Sequence, residues 1–307
     1  MRLGIAEVGI EINGRDGSWF VEAARTIEQV GFDSVWVPQR IVSRSLGDDP
    51  HPYGADRDVA NMRRHGAYDS IASLAAAAAV TSRVRLGTYV DLTALRHPFI
   101  TAQQVATVDQ LSNGRVNFGM GSGWYEDEFV LIGSDFADRG PRVTEYLQAI
   151  KALWTTETTT FHGRFLDFEQ AVVGPKPVQR PHPPILVGGN SPATLSRIVA
   201  AGDGWLGYGI GPDEIARIRE QLRERMEAVG RDPDEATVTI GWRMPGGGVD
   251  MTPDEINRDA WKQAAEFAAG CAEIGVDEVI FTVRIPPDGY ADNLAGFADT
   301  VGLDSYH

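Results

Sequence analysis

Residues 85–124 read RLGTYVDLTALRHPFITAQQVATVDQLSNGRVNFGMGSGW, and this stretch falls into three parts. Val84–Asp91 has the composition of a strand, Pro98–Leu111 has helical character, and Val116–Gly121 is a second short apolar run. Strand, helix and strand joined by short connections form a parallel crossover unit, which is right-handed in nearly all known cases. His97, in the RHP tripeptide just before the helix, reads as a structural hydrogen-bonding residue rather than a base.

The same alternation runs outward in both directions. Upstream lie a strand at Leu3–Val8, a helix at Trp19–Val30 closed by Gly31, a strand at Ser34–Pro38 and a helix at Tyr68–Val80. Downstream come a helix at Val143–Leu153 and strands at Pro184–Gly188, Gly204–Tyr208, Val238–Trp242 and Glu278–Val283, with helices at 192–201, 212–229 and 253–274. Eight strands alternating with helices predict an α/β fold, a (β/α)8 barrel; five or six would have pointed to a doubly wound open sheet. No linker or repeat divides the chain, so residues 1–307 are expected to form one barrel domain. Two segments exceed ordinary connections. One is 41–66 after the second strand, a candidate lid or else a solvated loop; the other is an insertion after the fourth strand, where FHGRFLDF suggests a small hairpin.

Composition narrows the function. A net charge of −15 argues against a nucleic-acid or anionic-membrane partner. One cysteine, Cys271, excludes an internal disulfide and a cysteine-based zinc site, and its neighbours suggest a buried helical thiol. The six histidines show no metal-ligand spacing, and there is no GxSxG elbow. No stretch is long and apolar enough to span a bilayer, and the amino terminus reads as a strand rather than a signal peptide, so the expected location is cytoplasmic.

The remaining signal lies at the carboxyl ends of the strands, where a barrel binds its ligands. The fourth ends in GMGSGW, with Gly121, Ser122, Gly123 and Trp124 beyond it. Its glycines fit a dinucleotide fingerprint poorly; they suit either a close backbone approach to a ligand or tight-turn packing. The fifth ends in Gly188, Gly189, Asn190 and Ser191, followed by Pro192 at a first helical position. That end can cap a helix, hold a phosphate, or do both. Gly207 and Tyr208 close the sixth strand. Trp36, Tyr89, Trp124, Trp205, Tyr208 and Trp242 all fall near strand ends, which suggests a mouth lined by rings and suited to a flat cofactor and an organic substrate. With no protein nucleophile in view, a cofactor is expected to carry the chemistry.

The order GT-V, RHP, VATVDQLSNGR and GMGSGW, with SVWVP, FADRGPRVTEYL, LVGGNS and DGWLGYG around it, resembles the bacterial luciferase-like oxidoreductases over most of the chain. These are flavin- or deazaflavin-dependent barrel enzymes, and the branch using coenzyme F420, a deazaflavin, is the closer fit, with FMN as the alternative. The resemblance implies a small organic substrate, a homodimer built through outer-wall helices, and a flavin reductase as partner if FMN is used. It also implies a ring supported by a bulge in the third strand at Tyr89, Val90 and Asp91, with a cis peptide at Tyr89–Val90. The bulge is expected to turn Asp91 out of the core. The cofactor phosphate is placed among Gly121–Trp124 or Gly188–Ser191.

Two departures from the family pattern matter, one at a pair of residues and one at a single residue. Gln39 and Arg40 stand where an Asp-His pair is usual, and Trp124 stands where sugar-phosphate dehydrogenases carry a Glu. Gln39 can still donate a hydrogen bond to a ring carbonyl. Arg40 is a permanent cation, able to stabilise a reduced cofactor or an anionic substrate, or else to sit in a structural ion pair. Gln39, Arg40 and Trp124 are therefore the residues expected nearest the chemistry. Loss of the acid–base pair favours reduction or monooxygenation over alcohol oxidation, and it leaves room for a flavin-binding barrel without catalysis.

Overall fold

The computed structural model describes residues 1–6, 17–43, 67–243, 258–283 and 285–307. Its centre is a closed barrel of eight parallel strands. They are β1 (Arg2–Ile5), β2 (Ser34–Val37), β3 (Arg85–Thr88), β4 (Val116–Met120), β7 (Ile185–Gly188), β8 (Gly204–Tyr208), β9 (Thr237–Arg243) and β10 (Glu278–Thr282). They follow one another around the ring in chain order, and β10 closes it on β1 through Arg2↔Glu278 to Ile5↔Phe281. The candidate lid at 41–66 lies outside the described residues from residue 44 onward, as do the last two residues of the strand expected at Leu3–Val8.

Helices wrap the ring: α1 (Gly17–Val30), α2 (Ser70–Val80), α3 (Pro98–Leu111), α4 (Glu126–Ile132), α5 (Arg139–Thr155), α6 (Pro192–Ala201), α7 (Pro212–Glu227), α8 (Arg258–Glu273) and α9 (Tyr290–Val301). The last of these, α9, is not among the helices expected from the sequence pattern. Their starts are written in local chemistry. Asp69 accepts the Ala72 amide at 2.9 Å, His97 accepts the Phe99 amide at 3.3 Å, and Ser191 accepts the Thr194 amide at 3.2 Å. Proline follows the cap in α3 and α6, where its missing N–H costs nothing. Each helix lays apolar residues such as Phe20, Ala23, Ala24 and Ile27 of α1 against the outside of the barrel. Cys271 is buried on α8, and burial pushes its thiol up to about 12. Among the described residues no helix is long and apolar enough to cross a membrane.

The insertion after β4 contains α4, α5 and an antiparallel hairpin, β5 (Thr159–His162) with β6 (Asp167–Ala171). Its turn is wound around one carboxylate: Glu145 accepts the amides of Arg164 (2.9 Å), Phe165 (2.7 Å) and Leu166 (2.7 Å).

Inside the ring lies a small cluster of Ala6, Trp36, Leu186, Leu206 and Ile280, with Tyr89 and Val90 packed on it. Trp36 fills the axis. Its indole N–H donates to Ser34 Oγ at 2.7 Å and Glu278 Oε1 at 3.1 Å, and the Ser34 hydroxyl also donates to Glu278. A Cβ at Gly87 would overlap the Trp36 ring. Gly87→Ala is therefore expected to lower unfolding free energy by about 1–3 kcal/mol, the usual cost of overpacking. Gly17→Ala, at a site with nothing within 4 Å, should cost nothing; urea denaturation of the two variants checks the contrast.

Candidate functional site

Parallel strands point their carboxyl ends to one face, and the exits of β2, β3, β4, β7 and β8 meet there. The exit of β3 is the irregular one. The strand ends at Thr88, the Tyr89–Val90 peptide is cis, and Asp91 then rejoins β4. The Asp91 amide donates to the Gly119 carbonyl and its carbonyl accepts from the Gly121 amide, both at 2.9 Å.

The two residues of the interruption go separate ways. The Tyr89 ring crosses the barrel, 6.3 Å from Trp36 and 6.0 Å from Tyr208, until its hydroxyl lies where a Cβ of Gly241 would be. Val90 leans toward β4 and β7. A Cβ at Gly121 would stand 2.6 Å from its Cγ2, and one at Gly188 would stand 3.1 Å from its Cγ1. Glycine at both positions is what lets Val90 and the backbone around it lie flat across these strand exits.

Backbone donors flank that surface. Among the described residues the N–H groups of Ser122 and Gly123 after β4, and of Asn190, Ser191 and Ala193 at the start of α6, have no acceptor. Several aligned amides at a helix start carry partial positive charge and suit an anion such as a phosphate. The side chains there are otherwise engaged. Ser191 Oγ caps α6, and Asn190 grips the backbone of Tyr208, donating to its carbonyl at 2.8 Å and accepting from its amide at 3.2 Å. Any anion held at this end would be held by backbone. Glycine-faced strand exits, free amides and a ring-lined floor fit a phosphate-bearing flavin or deazaflavin. Gly189 supports the site from below, its carbonyl accepting the Trp205 indole N–H at 2.7 Å.

Asp91 is completely buried, not turned outward. It points between the barrel and the helices, where Oδ1 accepts the Thr93 hydroxyl at 3.0 Å and Oδ2 faces Arg96 Nη1 at 3.7 Å without a hydrogen bond. Resumed pairing with β4 draws the residue in, and the outer side of the strand is already covered by helices. Arg96 also pairs with Asp69, the cap of α2. The next residue, Ser70, donates its amide (2.9 Å) and hydroxyl (2.6 Å) to Gln39 Oε1. Because an amide N–H can only donate, these contacts fix Gln39 with its oxygen toward α2. Its Nε2 has no partner among the described residues.

Arg40 forms an ion pair with Glu128 of α4, and its guanidinium lies 4.9 Å from the Trp124 ring centroid and 5.3 Å from that of Tyr125. Of the six aromatics expected at the mouth, Tyr89, Trp124 and Tyr208 are there. Trp36 and Trp205 are fully buried, and Trp242 packs against Phe281, so these three serve the core. Gly207 makes room for Trp205 and Ile240 on the outer side of β8. Among the described residues no group of His, Cys, Asp and Glu side chains could hold a metal ion.

The sequence model of the luciferase-like monooxygenases matches residues 13–272. The chain belongs to this family. It is 35% identical over 280 residues, 90% of each chain, to a protein of Mycobacterium tuberculosis. It is 35% identical over 136 residues to the FMNH2-dependent dimethylsulfone monooxygenase of Pseudomonas putida, covering 43% of this chain and 38% of that one. It is 31% identical over 190 residues to the F420-dependent glucose-6-phosphate dehydrogenase of Amycolatopsis mediterranei, covering 61% and 52%. Luciferase-like enzymes are thus oxidoreductases of two cofactor types, and both types are among the relatives of this chain.

Glu128 and the Asp91–Arg96–Asp69 belt had no counterpart in the reading of the sequence. Glu128 stands in the acidic start of a helix, where Glu126 and Asp127 look the same. Burial raises the Asp91 pKa above the ordinary aspartate value, with Arg96 and Thr93 opposing it. A carboxyl raised in the folded state adds stability below its unfolded pKa and loses it as pH climbs through the folded one. Asp91→Asn should therefore become more favourable relative to wild type as pH rises from about 4 to 8. Urea denaturation across that range measures the difference, and a constant difference would mean that Asp91 keeps an ordinary pKa.

Proposed function

We propose that the protein is a hydride-transferring oxidoreductase that binds coenzyme F420 on the C-terminal face of the barrel and reduces a small organic substrate carrying a carbonyl or an activated double bond. The observation that supports this most is the pairing of the flat Val90 surface with unpartnered amides at Ser122, Gly123, Ser191 and Ala193. A ring and a phosphate attached to it ask for those two features side by side.

The cofactor, when bound, supplies the hydride; the chain's part is to hold and orient. In this reading the amides at the start of α6 and in the β4 loop carry the phosphate, and Gly188 and Gly189 let the backbone approach it. Tyr89, Val90 and Asp91 support one face of the ring through their backbone. Gln39 Nε2 donates to a ring carbonyl, its orientation fixed by Ser70. Trp124 and Tyr208 wall the space for substrate, and Arg40, held by Glu128, stands at the rim. No protein acid–base pair appears among these groups, which suits reduction of a polarised bond better than oxidation of an alcohol.

The F420 arm is supported by the longer aligned stretch, 190 residues against 136. The FMN arm is favoured by the higher identity of its relative, 35% against 31%, and would add molecular oxygen as co-substrate and a reductase as partner.

Fluorescence titration with F420 and with FMN separates the arms. The reading expects tighter F420 binding and oxidation of reduced F420 by α,β-unsaturated carbonyl acceptors. FMN binding with substrate-dependent oxygen consumption would transfer the assignment to monooxygenation, and binding of neither cofactor would overturn both. Ser191→Asp keeps a good helix cap but puts a charge where the phosphate is expected. It should weaken cofactor binding by about 10–100-fold, a loss of roughly 1.4–2.7 kcal/mol, with the melting temperature unchanged.

A further inference from the structure

Arg40 leaves β2 and Glu128 follows β4, so their contact passes over the exit of β3, which lies between those strands. The two oxygens of Glu128 divide the work. Oε1 accepts the backbone amides of Ile41 at 2.7 Å and Val42 at 3.3 Å; Oε2 takes Arg40 Nη1. Both side chains are withdrawn from solvent, 9% and 1% exposed, so the attraction between them is weakly screened. The guanidinium that meets Trp124 is therefore fixed and already neutralised.

That has a consequence for what this wall can recognise. A guanidinium beside aromatic rings, without a counter-charge, would be a strong site for a carboxylate. With Glu128 against it, an incoming carboxylate gains little net attraction and meets a like charge a few ångströms behind. An uncharged carbonyl group can still accept from a remaining guanidinium N–H.

We propose that Glu128 determines specificity through Arg40: it compensates the guanidinium charge so that this side of the mouth accepts uncharged ligands and discriminates against carboxylates. This rests on the mouth being the substrate site, as proposed above, and it names the class of substrate that site takes.

Glu128→Gln tests it, because the amide oxygen can keep the Ile41 and Val42 contacts while the amide nitrogen cannot accept from Arg40. Benzoate and benzamide serve as probes of equal shape, read by calorimetry on the purified protein without cofactor, with thermal melting to confirm folding. Wild type should bind benzamide at least as well as benzoate. Glu128→Gln should bind benzoate at least about tenfold more tightly than wild type does, the gain from one charge-assisted hydrogen bond, with benzamide unchanged. Arg40→Met combined with Glu128→Gln should cancel that gain. A folded Glu128→Gln protein with no gain for benzoate would overturn the proposal, as would a wild type that prefers benzoate. The wild-type comparison holds even where the variant does not fold, and F420 or FMN titration of the same wild-type sample reports separately on the proposed cofactor site.

Discussion

Asp91 returns β3 to its neighbour after a two-residue interruption, and the C-terminal face of the barrel depends on that return. Two backbone hydrogen bonds, to the Gly119 carbonyl and from the Gly121 amide, hold the strand on either side of Tyr89–Val90. Without them the β3 exit would be a free loop. With them it is a rigid step whose two side chains are forced apart, Tyr89 across the barrel and Val90 onto Gly121, just past β4, and Gly188 of β7. The buried carboxylate is the cost of this arrangement: Asp91 has one oxygen bonded to Thr93 and the other only facing Arg96.

The same step ties together three exits that are far apart in the chain. Arg96 reaches from the segment after β3 to Asp69 at the start of α2, and the adjacent Ser70 holds Gln39 at the end of β2. On the other side Glu128 reaches back to Arg40, Ile41 and Val42. Polar groups buried between layers must be paired to be tolerated, and here the pairing also fixes loops that would otherwise move independently. Rigid positioning of this kind is what a bound ring and a reacting substrate require.

The order of strands and helices was legible because each apolar run is short and bounded by glycine, proline or a cap, as at Gly31, Pro98 and Ser191–Pro192. The cis peptide at Tyr89–Val90 was expected from family resemblance and does not follow from local composition; the reach of Tyr89 across the barrel emerges only in the structure. The tryptophans show where pattern stops. Barrel strands are apolar on both sides, so alternation along GWLGY cannot say that Trp205 faces the helices while Tyr208 faces the mouth. Asp91 misled for the same reason. A charged residue in a buried strand suggested a turn out of the core, whereas Arg96 and Thr93 make a buried position between barrel and helices tolerable. Arg40 and Glu128 are 88 residues apart, and nothing local in either segment announces the other.

The central claim is that free amides at the start of α6 and the Val90 surface belong to one ligand, a ring joined to a phosphate. A crystal structure of the protein with F420 or FMN bound tests it most directly. The account predicts the phosphate within hydrogen-bonding distance of the Ser191 or Ala193 amide, or of the Ser122 or Gly123 amide, with the ring against the Tyr89–Val90 backbone. A cofactor with its phosphate away from both amide groups, or its ring away from β3, would contradict it.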